Sequence, residues 1–158
     1  MKFEMYSFLL GLNYNPGKDD CYGLARRLYS AVYGIELANY ARPVGFDHAG
    51  LNLIVDNFHR EGFQDCQTPE LEAGDGLLFG VGSDKINHIG VYVGNQQFIH
   101  HLFDRQSCLD PLDLRWKRRL LGRVRHPDVT EYNRVNQEKV GLEDFLPPHL
   151  KRRLGNAG

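Results

Sequence analysis

The sequence lacks long apolar runs. No stretch approaches the roughly 20 consecutive apolar residues that a membrane-spanning helix needs. The first residues, Met1 to Met5, also lack the basic segment, apolar segment and small-residue cleavage site of a secretory signal peptide. We therefore expect no membrane span, no signal peptide and synthesis in the cytoplasm.

Cysteine is scarce. Cys21, Cys66 and Cys108 are an odd number of widely spaced residues, and no Cys-x-x-Cys pair occurs. This pattern argues against a disulfide framework and against a cysteine-rich zinc site. We therefore expect no cofactor and no metal. A zinc site formed by Cys21, His88 and His100 is the one metal-binding alternative that we consider.

Net charge is also small, because 19 Lys or Arg residues oppose 20 Asp or Glu residues. The distribution is uneven, and residues 103–158 hold 12 basic against 8 acidic residues. The densest basic run, Arg115 to Arg125, contains Trp116 as its only aromatic residue. Nucleic-acid binding needs more stacking residues than this. The run instead predicts a solvated face or a surface for an acidic partner.

A chain of 158 residues with 42% hydrophobic content is long enough for one domain with a core, and too short for two. We expect a domain over residues 1–127 and a C-terminal extension over residues 128–158. Its short apolar segment, Leu142 to Leu154, is interrupted by two prolines and cannot form its own core. The extension is predicted to pack on the domain or on a partner.

A reactive position is predicted where a helix starts at Cys21. Asp20 is a suitable N-cap, and Leu24 and Leu28 begin an inward stripe at helical spacing. The first turn lies at the positive end of the helix dipole, which favours thiolate over thiol. The alternative is an inert buried cysteine that happens to follow a cap. The helix should end near Gly34.

Further along the chain the hydrophobic period changes from helical to strand-like. A β-hairpin is predicted over residues 88–101. Its first strand is His88 to Val93, in which every second residue is β-branched; Gly94 to Gln96 form the turn, and Gln97 to His101 form the second strand. A three-residue loop would place His88 opposite His100, and a two-residue loop would place it opposite His101. The residues alone leave both registers open. Other predicted elements are a helix over Phe3–Leu12, a helix from Asp47 to Gly62, and strands over Phe63–Thr68 and Leu77–Phe79.

A cysteine at a helix start, a histidine opening a later strand and a polar partner on the next strand are what thiol hydrolysis requires. The thiolate attacks, the imidazole carries the proton and the third group fixes the imidazole tautomer. In four blocks that contain these residues, the sequence resembles the NlpC-type, papain-like cell-wall cysteine peptidases. The matching blocks are Asp20-Cys21-Tyr22-Gly23-Leu24, Gly74-Asp75-Gly76-Leu77-Leu78-Phe79, His88-Ile89-Gly90-Val91-Tyr92-Val93-Gly94-Asn95 and Gln97-Phe98-Ile99-His100.

The resemblance implies an α+β fold in which N-terminal helices pack on a small antiparallel sheet. It implies Cys21 as the nucleophile, His88 as the general base and His100 as the orienting residue, and it selects the three-residue loop. The order of cysteine before histidine argues against the circularly permuted acyltransferase relatives. The implied substrate is a peptidoglycan stem peptide, cut at an amide bond such as the γ-D-glutamyl–diamino acid bond.

Some residues depart from the family pattern. Tyr22 stands where serine is usual, Ala73 replaces a proline, and the segment between Tyr14 and Cys21 is short. Tyr14 is the best match to the tyrosine that supports the oxyanion, with Asp20 as a second supporting residue. Tyr22, the block Gly34-Ile35-Glu36-Leu37 and the segment from Trp116 to Pro127 resemble the phage tail assembly protein K-like subgroup. This subgroup implies a virion location and tail-tip protein partners, and leaves open a structural plug with a shielded site.

Overall fold

The computed structural model of this protein describes residues 1–42 and 53–138. Two short 3₁₀ turns, Phe3–Met5 and Ser7–Leu9, precede the regular elements. In chain order these elements are α1 (Cys21–Leu28), α2 (Leu53–Arg60), β1 (Gln64–Asp65), β2 (Gly76–Phe79), β3 (His88–Gly94), β4 (Gln97–His100), β5 (Cys108–Pro111), α3 (Leu114–Lys117), β6 (Leu120–Arg125) and α4 (Pro127–Glu138).

Six strands form one sheet in the order β1-β6-β2-β3-β4-β5, and every neighbouring pair is antiparallel. The central strands β2 and β3 are buried along almost their whole length. Helix α1 packs against β3 and β4. The predicted α+β fold, with N-terminal helices on an antiparallel sheet, is confirmed.

The Cys21 helix forms for the reason that the sequence indicates. The Asp20 carboxylate accepts the Gly23 backbone N–H at 2.8 Å, which caps the first turn. Leu24 and Leu28 are buried, so the predicted stripe faces the core. After Leu28 the chain continues through a π-helical turn to Gly34, whose left-handed φ of 66° ends the helix.

The two faces of β3 enter two hydrophobic clusters. Ile89, Val91 and Val93 pack in the cluster that contains α1. Tyr92 packs on the opposite face in a cluster with Leu77, Phe79, Phe98, Leu112 and Trp116. Because strand side chains alternate, His88 lies on the same face as Tyr92 and next to this second cluster. Its ring centroid lies 6.0 Å from that of Phe79.

The register of the β3–β4 hairpin differs from both predicted alternatives. Gly90, and not His88, lies opposite His100, and Gly94 pairs with Gln97 after a register shift. The turn therefore has two residues, Asn95 and Gln96, both with positive φ as in a type I′ turn. The bulge adds one residue to β3, so the three-residue loop is wrong. His88 and His100 are diagonal neighbours on one face, a separation that two imidazoles can bridge.

Other predicted elements are shorter than expected. The helix predicted over Phe3–Leu12 is wrong, since two 3₁₀ turns occupy this segment. The strand predicted over Phe63–Thr68 contains only Gln64 and Asp65. Helix α2 covers the later part of the predicted Asp47–Gly62 helix, and residues 47–52 lie outside the described residues.

The basic run was predicted as a solvated face or partner surface, yet its last part is the strand β6. There Arg125 donates to the fully buried Asp75 from Nε at 2.5 Å and from Nη2 at 2.9 Å. Arg123 also faces Asp75, with Nη1 at 3.5 Å. These two arginines are neutralised within the domain, so only the earlier part of the run remains for a partner.

Helix α4 packs on the domain that precedes it. Val129 is fully buried in the α1 cluster, and the Tyr132 ring meets Tyr33 at 5.0 Å between centroids. The Asn133 amide donates to the Ala73 carbonyl at 2.9 Å. The boundary between residues 127 and 128 stays a prediction, and residues 139–158 lie outside the described residues. Within the described ranges, no helix combines the length and apolarity that crossing a membrane requires.

Candidate functional site

The sulfur of Cys21 lies at the junction of α1 and β3. Cys21 is the first residue of α1 and is only 7% exposed. Hydrogen bonding from the backbones of Ile89 and Tyr22 lowers the pKa of its thiol. Ile89 directly follows His88 on β3, so the sulfur lies near the start of the histidine-bearing strand.

The turn before Cys21 is fixed by the buried Asp20 carboxylate. Its oxygens accept the N–H groups of Gly23 and Gly17 and the Nε–H of Arg42 at 2.7 Å. Gly23 is required because a Cβ there would lie 1.8 Å from the Lys18 carbonyl oxygen. Asp20, predicted as a supporting residue, thus holds the segment that presents the thiol.

Burial works against the ionisation that the helix dipole favours. Burial, and next the charge of Asp20, raise the pKa of the Cys21 thiol to about 12. Hydrogen bonds from Ile89 and Tyr22 and the charge of Arg42 oppose this rise. The pKa of His88 is lowered well below its usual value, chiefly by burial and then by the neighbouring His100 and His101. Burial therefore favours the neutral thiol and the neutral imidazole.

The sequence-predicted histidines meet in a buried hydrogen bond. His88 Nε2 lies 2.9 Å from His100 Nδ1, and the two residues are 4% and 0% exposed. On its other side, His100 Nε2 lies 2.8 Å from Asp110 Oδ2. The result is a linear relay from Asp110 through His100 to His88.

The carboxylate at the end of this relay fixes both tautomers. An ionised Asp110 can only accept, so His100 must carry its proton on Nε2. A neutral His100 then accepts at Nδ1, so His88 donates from Nε2. Burial lowers the pKa of His100 and so favours the neutral ring, although the hydrogen bond that His100 donates to Asp110 opposes this shift. His88 is thus left with an unprotonated Nδ1, the form that a general base requires.

Asp110 and Trp116 were missed in the sequence. Asp110 lies on β5, a short and polar strand whose alternation is too brief to stand out, and β5 is placed by its pairing with β4. Trp116 follows the capped start of α3, where Asp113 accepts the Trp116 backbone N–H at 3.0 Å. Its buried ring lies 4.9 Å from His100 and 6.3 Å from His88 between centroids, forming an apolar wall behind the relay.

A second thiol lies beside the relay. Cys108 is paired directly with His100 across the β4–β5 ladder. Its sulfur is 3.5 Å from His100 Nε2 and 3.7 Å from Asp110 Oδ2. Burial, and then the Asp110 charge, raise the pKa of this thiol to about 11. Three donor atoms of different types therefore meet at one edge of the site.

The two tyrosines that the sequence singled out differ in their surroundings. Tyr22 is buried, packs edge-on against Phe58 and donates its hydroxyl to the Ala38 carbonyl at 3.0 Å. Its departure from the family serine is thus explained by core packing. The Tyr14 ring lies edge-on to His101 and Phe103, at 5.4 and 5.2 Å between centroids. Tyr14 therefore borders the residue that follows His100.

Comparison with curated proteins gives two relatives in phages. The chain is 31% identical over 125 residues to the tail tip assembly protein K of Escherichia phage lambda, covering 79% of this chain and 62% of that protein. It is 30% identical over 117 residues to the tail tip assembly protein K of Escherichia phage N15, covering 72% and 47%. The chain thus spans roughly half to three-fifths of the length of these relatives.

Solved structures share the fold at low identity. NlpC1 from Trichomonas vaginalis matches with a TM-score of 0.55 and 21% identity, over 78% of this chain and 41% of that one. The NlpC/p60 domain of the peptidoglycan hydrolase SagA matches with a TM-score of 0.52 and 19% identity, over 77% and 93%. The sequence profile described as the NlpC/P60 family matches residues 8–125. The chain therefore belongs to the NlpC/P60 family.

Proposed function

We propose that this protein is a cysteine peptidase of a phage tail tip, which hydrolyses an amide bond in peptidoglycan stem peptides. The γ-D-glutamyl–diamino acid bond is the proposed target. The work would be done during tail assembly or cell-wall penetration, in the virion and beside other tail-tip proteins. One observation carries the proposal: the Asp110–His100–His88 relay ends on β3, the strand against which the helix that begins at Cys21 packs.

In the proposed reaction, the Cys21 sulfur attacks the scissile carbonyl carbon while its proton passes to His88 Nδ1. The C–S bond forms, and the C–N bond breaks as His88 returns the proton to the leaving amine. Water then hydrolyses the thioester with His88 as the base. His100 holds the His88 ring in the required tautomer. The Tyr14 hydroxyl is the proposed oxyanion donor, with Asp20 supporting the turn.

The test is digestion of purified peptidoglycan by Cys21→Ala and His88→Ala proteins, with Cys66→Ala as the matched control. We expect the first two to release soluble peptide at least about 10³-fold more slowly than the unmodified protein. The Cys66→Ala protein should retain full activity, because Cys66 directly follows β1, at the edge of the sheet opposite to β3, β4 and β5, which carry the relay. Equal release by all four proteins would exclude the proposal.

A second candidate function is a structural tail-tip subunit whose thiol site is shielded. The near-complete burial of Cys21, His88 and His100 favours it, because a substrate could not reach the sulfur without some opening. The relatives' name, tail tip assembly protein, is compatible with this role.

Alkylation of the three cysteines at pH 6 separates the two candidates. A working peptidase should modify Cys21 faster than Cys66 and Cys108, because only at Cys21 can a neighbouring base, His88, take the thiol proton as the sulfur attacks the reagent. A shielded site should leave Cys21 the slowest of the three. Peptide mapping by mass spectrometry reports each rate separately.

A further inference from the structure

Three side chains at the edge of the sheet bring together donor atoms that suit a transition metal. His100 Nε2, Cys108 Sγ and Asp110 Oδ2 all lie within 4.8 Å of one another. His100 is fully buried, whereas Cys108 and Asp110 are partly exposed, so the cluster is anchored on one side and open on the other. The pairing of β4 with β5 holds the three residues in place.

We propose that His100, Cys108 and Asp110 form a binding site for Zn²⁺ or a similar divalent transition metal, and that the bound metal switches the thiol site off. The second half of this proposal rests on the proposed peptidase function, and the first half does not. The zinc alternative considered from the sequence used Cys21, His88 and His100, so it shares His100 with this site but contains neither Cys108 nor Asp110.

The distances fit a tetrahedral zinc ion. Zinc lies about 2.3 Å from sulfur and about 2.0–2.1 Å from nitrogen or oxygen, which places sulfur roughly 3.5 Å from the other two ligands. Here the sulfur lies 3.5 Å from His100 Nε2 and 3.7 Å from Asp110 Oδ2. The nitrogen and oxygen are hydrogen bonded at 2.8 Å and would separate by about half an ångström. These three side chains would leave the fourth position of a tetrahedral ion for water.

The donor types select the metal. Thiolate and imidazole are soft or intermediate ligands that suit Zn²⁺, Co²⁺ and Cu²⁺, whereas Mg²⁺ and Ca²⁺ require oxygen donors. A metal-bound histidine normally donates its other ring N–H to an acceptor. His100 already has such a neighbour, because its Nδ1 lies 2.9 Å from His88 Nε2.

Metal binding would reverse the relay. The metal takes His100 Nε2, so His100 must carry its proton on Nδ1 and donate to His88 Nε2. The His88 Nε2 proton has then moved to His100, and the proton displaced from His100 Nε2 returns through solvent to His88 Nδ1. The Cys108 thiol proton is released to the buffer. His88 is left protonated on Nδ1, the atom that must accept the Cys21 proton, and cannot act as a base.

Metal binding is tested first, without any activity measurement. The Cys21→Ala protein, which lacks the competing active-site thiol, is titrated with Zn²⁺ against a chromophoric chelator and with Co²⁺ by absorbance. We expect one equivalent of metal and a thiolate-to-cobalt charge-transfer band. Adding Cys108→Ala should abolish the band and weaken Zn²⁺ binding at least about 100-fold, whereas adding Cys66→Ala should change neither. No bound metal, or a band that survives Cys108→Ala, would overturn the site.

Alkylation of the unmodified protein with and without Zn²⁺ provides a second measurement of metal binding, and it needs no variant. Zn²⁺ should slow the alkylation of Cys108 while leaving that of Cys66 unchanged. Equal rates at Cys108 with and without Zn²⁺ would contradict the proposal.

The switch is then tested by peptidoglycan digestion. Zn²⁺ should inhibit the unmodified protein, and EDTA should restore its rate. The rate of the Cys108→Ala protein, compared with its own metal-free rate, should be insensitive to the same Zn²⁺ concentration. Inhibition that persists unchanged in Cys108→Ala would mean that the metal acts at Cys21 itself and would exclude the switch. If no preparation digests peptidoglycan, the proposed function fails while the binding measurements still decide the metal site.

Discussion

Asp110 extends the site beyond the residues that the sequence predicted. It lies behind His100 and not beside His88, so it acts through the tautomer of His100. Replacing Asp110 with Asn keeps the shape and removes the charge that holds the His100 proton on Nε2. We expect Asp110→Asn to lower kcat about 10–100-fold with a smaller change in KM, the range seen when a residue behind a functional histidine is lost.

The control for this prediction is Asp84→Asn, the same change at an exposed position. It should leave both kinetic constants unchanged. A kcat that is equal in Asp110→Asn and the unmodified protein would show that His100 is oriented without the carboxylate.

Cys21 should make stability depend on pH in the alkaline range. Its pKa is raised to about 12 by burial and by Asp20, above the value of about 9 for an unperturbed thiol. The native state thus keeps the thiol proton when the unfolded chain loses it. This contribution to stability is complete below pH 9 and declines as the pH rises towards 12, by at most about 1.4 kcal/mol per pH unit.

The measurement is the free energy of unfolding in urea at pH 8 and pH 10.5. The decrease between the two values should be smaller in Cys21→Ala than in the unmodified protein, because other alkaline titrations are common to both. The Cys66→Ala protein should behave more nearly like the unmodified one. A larger decrease in Cys21→Ala would mean that the native state stabilises the thiolate.

Among the secondary-structure elements, β6 is joined to the turn before β2 by a buried charge pair. Asp75 is fully buried and accepts from Arg125 through two nitrogens, while Arg125 is largely covered. Asp75→Asn removes the charge and leaves the Arg125 guanidinium with poor compensation. We expect unfolding in urea to show a loss of about 3 kcal/mol.

Asp65→Asn is the matched control, because Asp65 pairs with His59 at the surface. Its loss should stay below about 1 kcal/mol. If Asp75→Asn proved no more destabilising than Asp65→Asn, β6 would be held by its ladder alone.

At the scale of the whole molecule, the packing of α4 on the domain predicts which C-terminal truncations reduce stability. A chain that ends after Pro127 loses Val129, whose burial alone contributes about 1.5–3 kcal/mol, and also loses the contacts of Tyr132 and Asn133. A chain that ends after Glu138 keeps them. We expect thermal unfolding to show native stability for the cut after Glu138 and a clear loss for the cut after Pro127.

The cut after Glu138 also tests whether the C-terminal extension packs on a tail-tip partner, one of the two predictions made for it. It removes the apolar segment from Leu142 to Leu154, so the truncated protein should digest peptidoglycan normally but fail to enter assembled tails. Normal incorporation of this truncated protein would place the docking surface elsewhere.

Much of the site could be predicted because its signals are local. The Asp20 cap, the stripe that begins at Leu24 and the alternation of β3 each depend on residues within a few positions of one another. The hairpin register was predicted wrongly: His100 pairs with Gly90, two residues from the expected His88, and the bulge before Gly94 has no unambiguous signal in the sequence. The β5 strand was missed because it is short and only its partner β4 defines it.

The sequence by itself determined the helix that presents Cys21 and the strand that carries His88, because hydrophobic period and capping specify these elements directly. The type of fold followed from the resemblance of its sequence blocks to a known family. Only the tertiary structure decided what surrounds them. Pairing of β4 with β5 brought Asp110 and Cys108 to His100, and burial shifted the pKa values of Cys21 and His88. Such contacts and desolvation depend on the folded chain as a whole, so no local pattern encodes them.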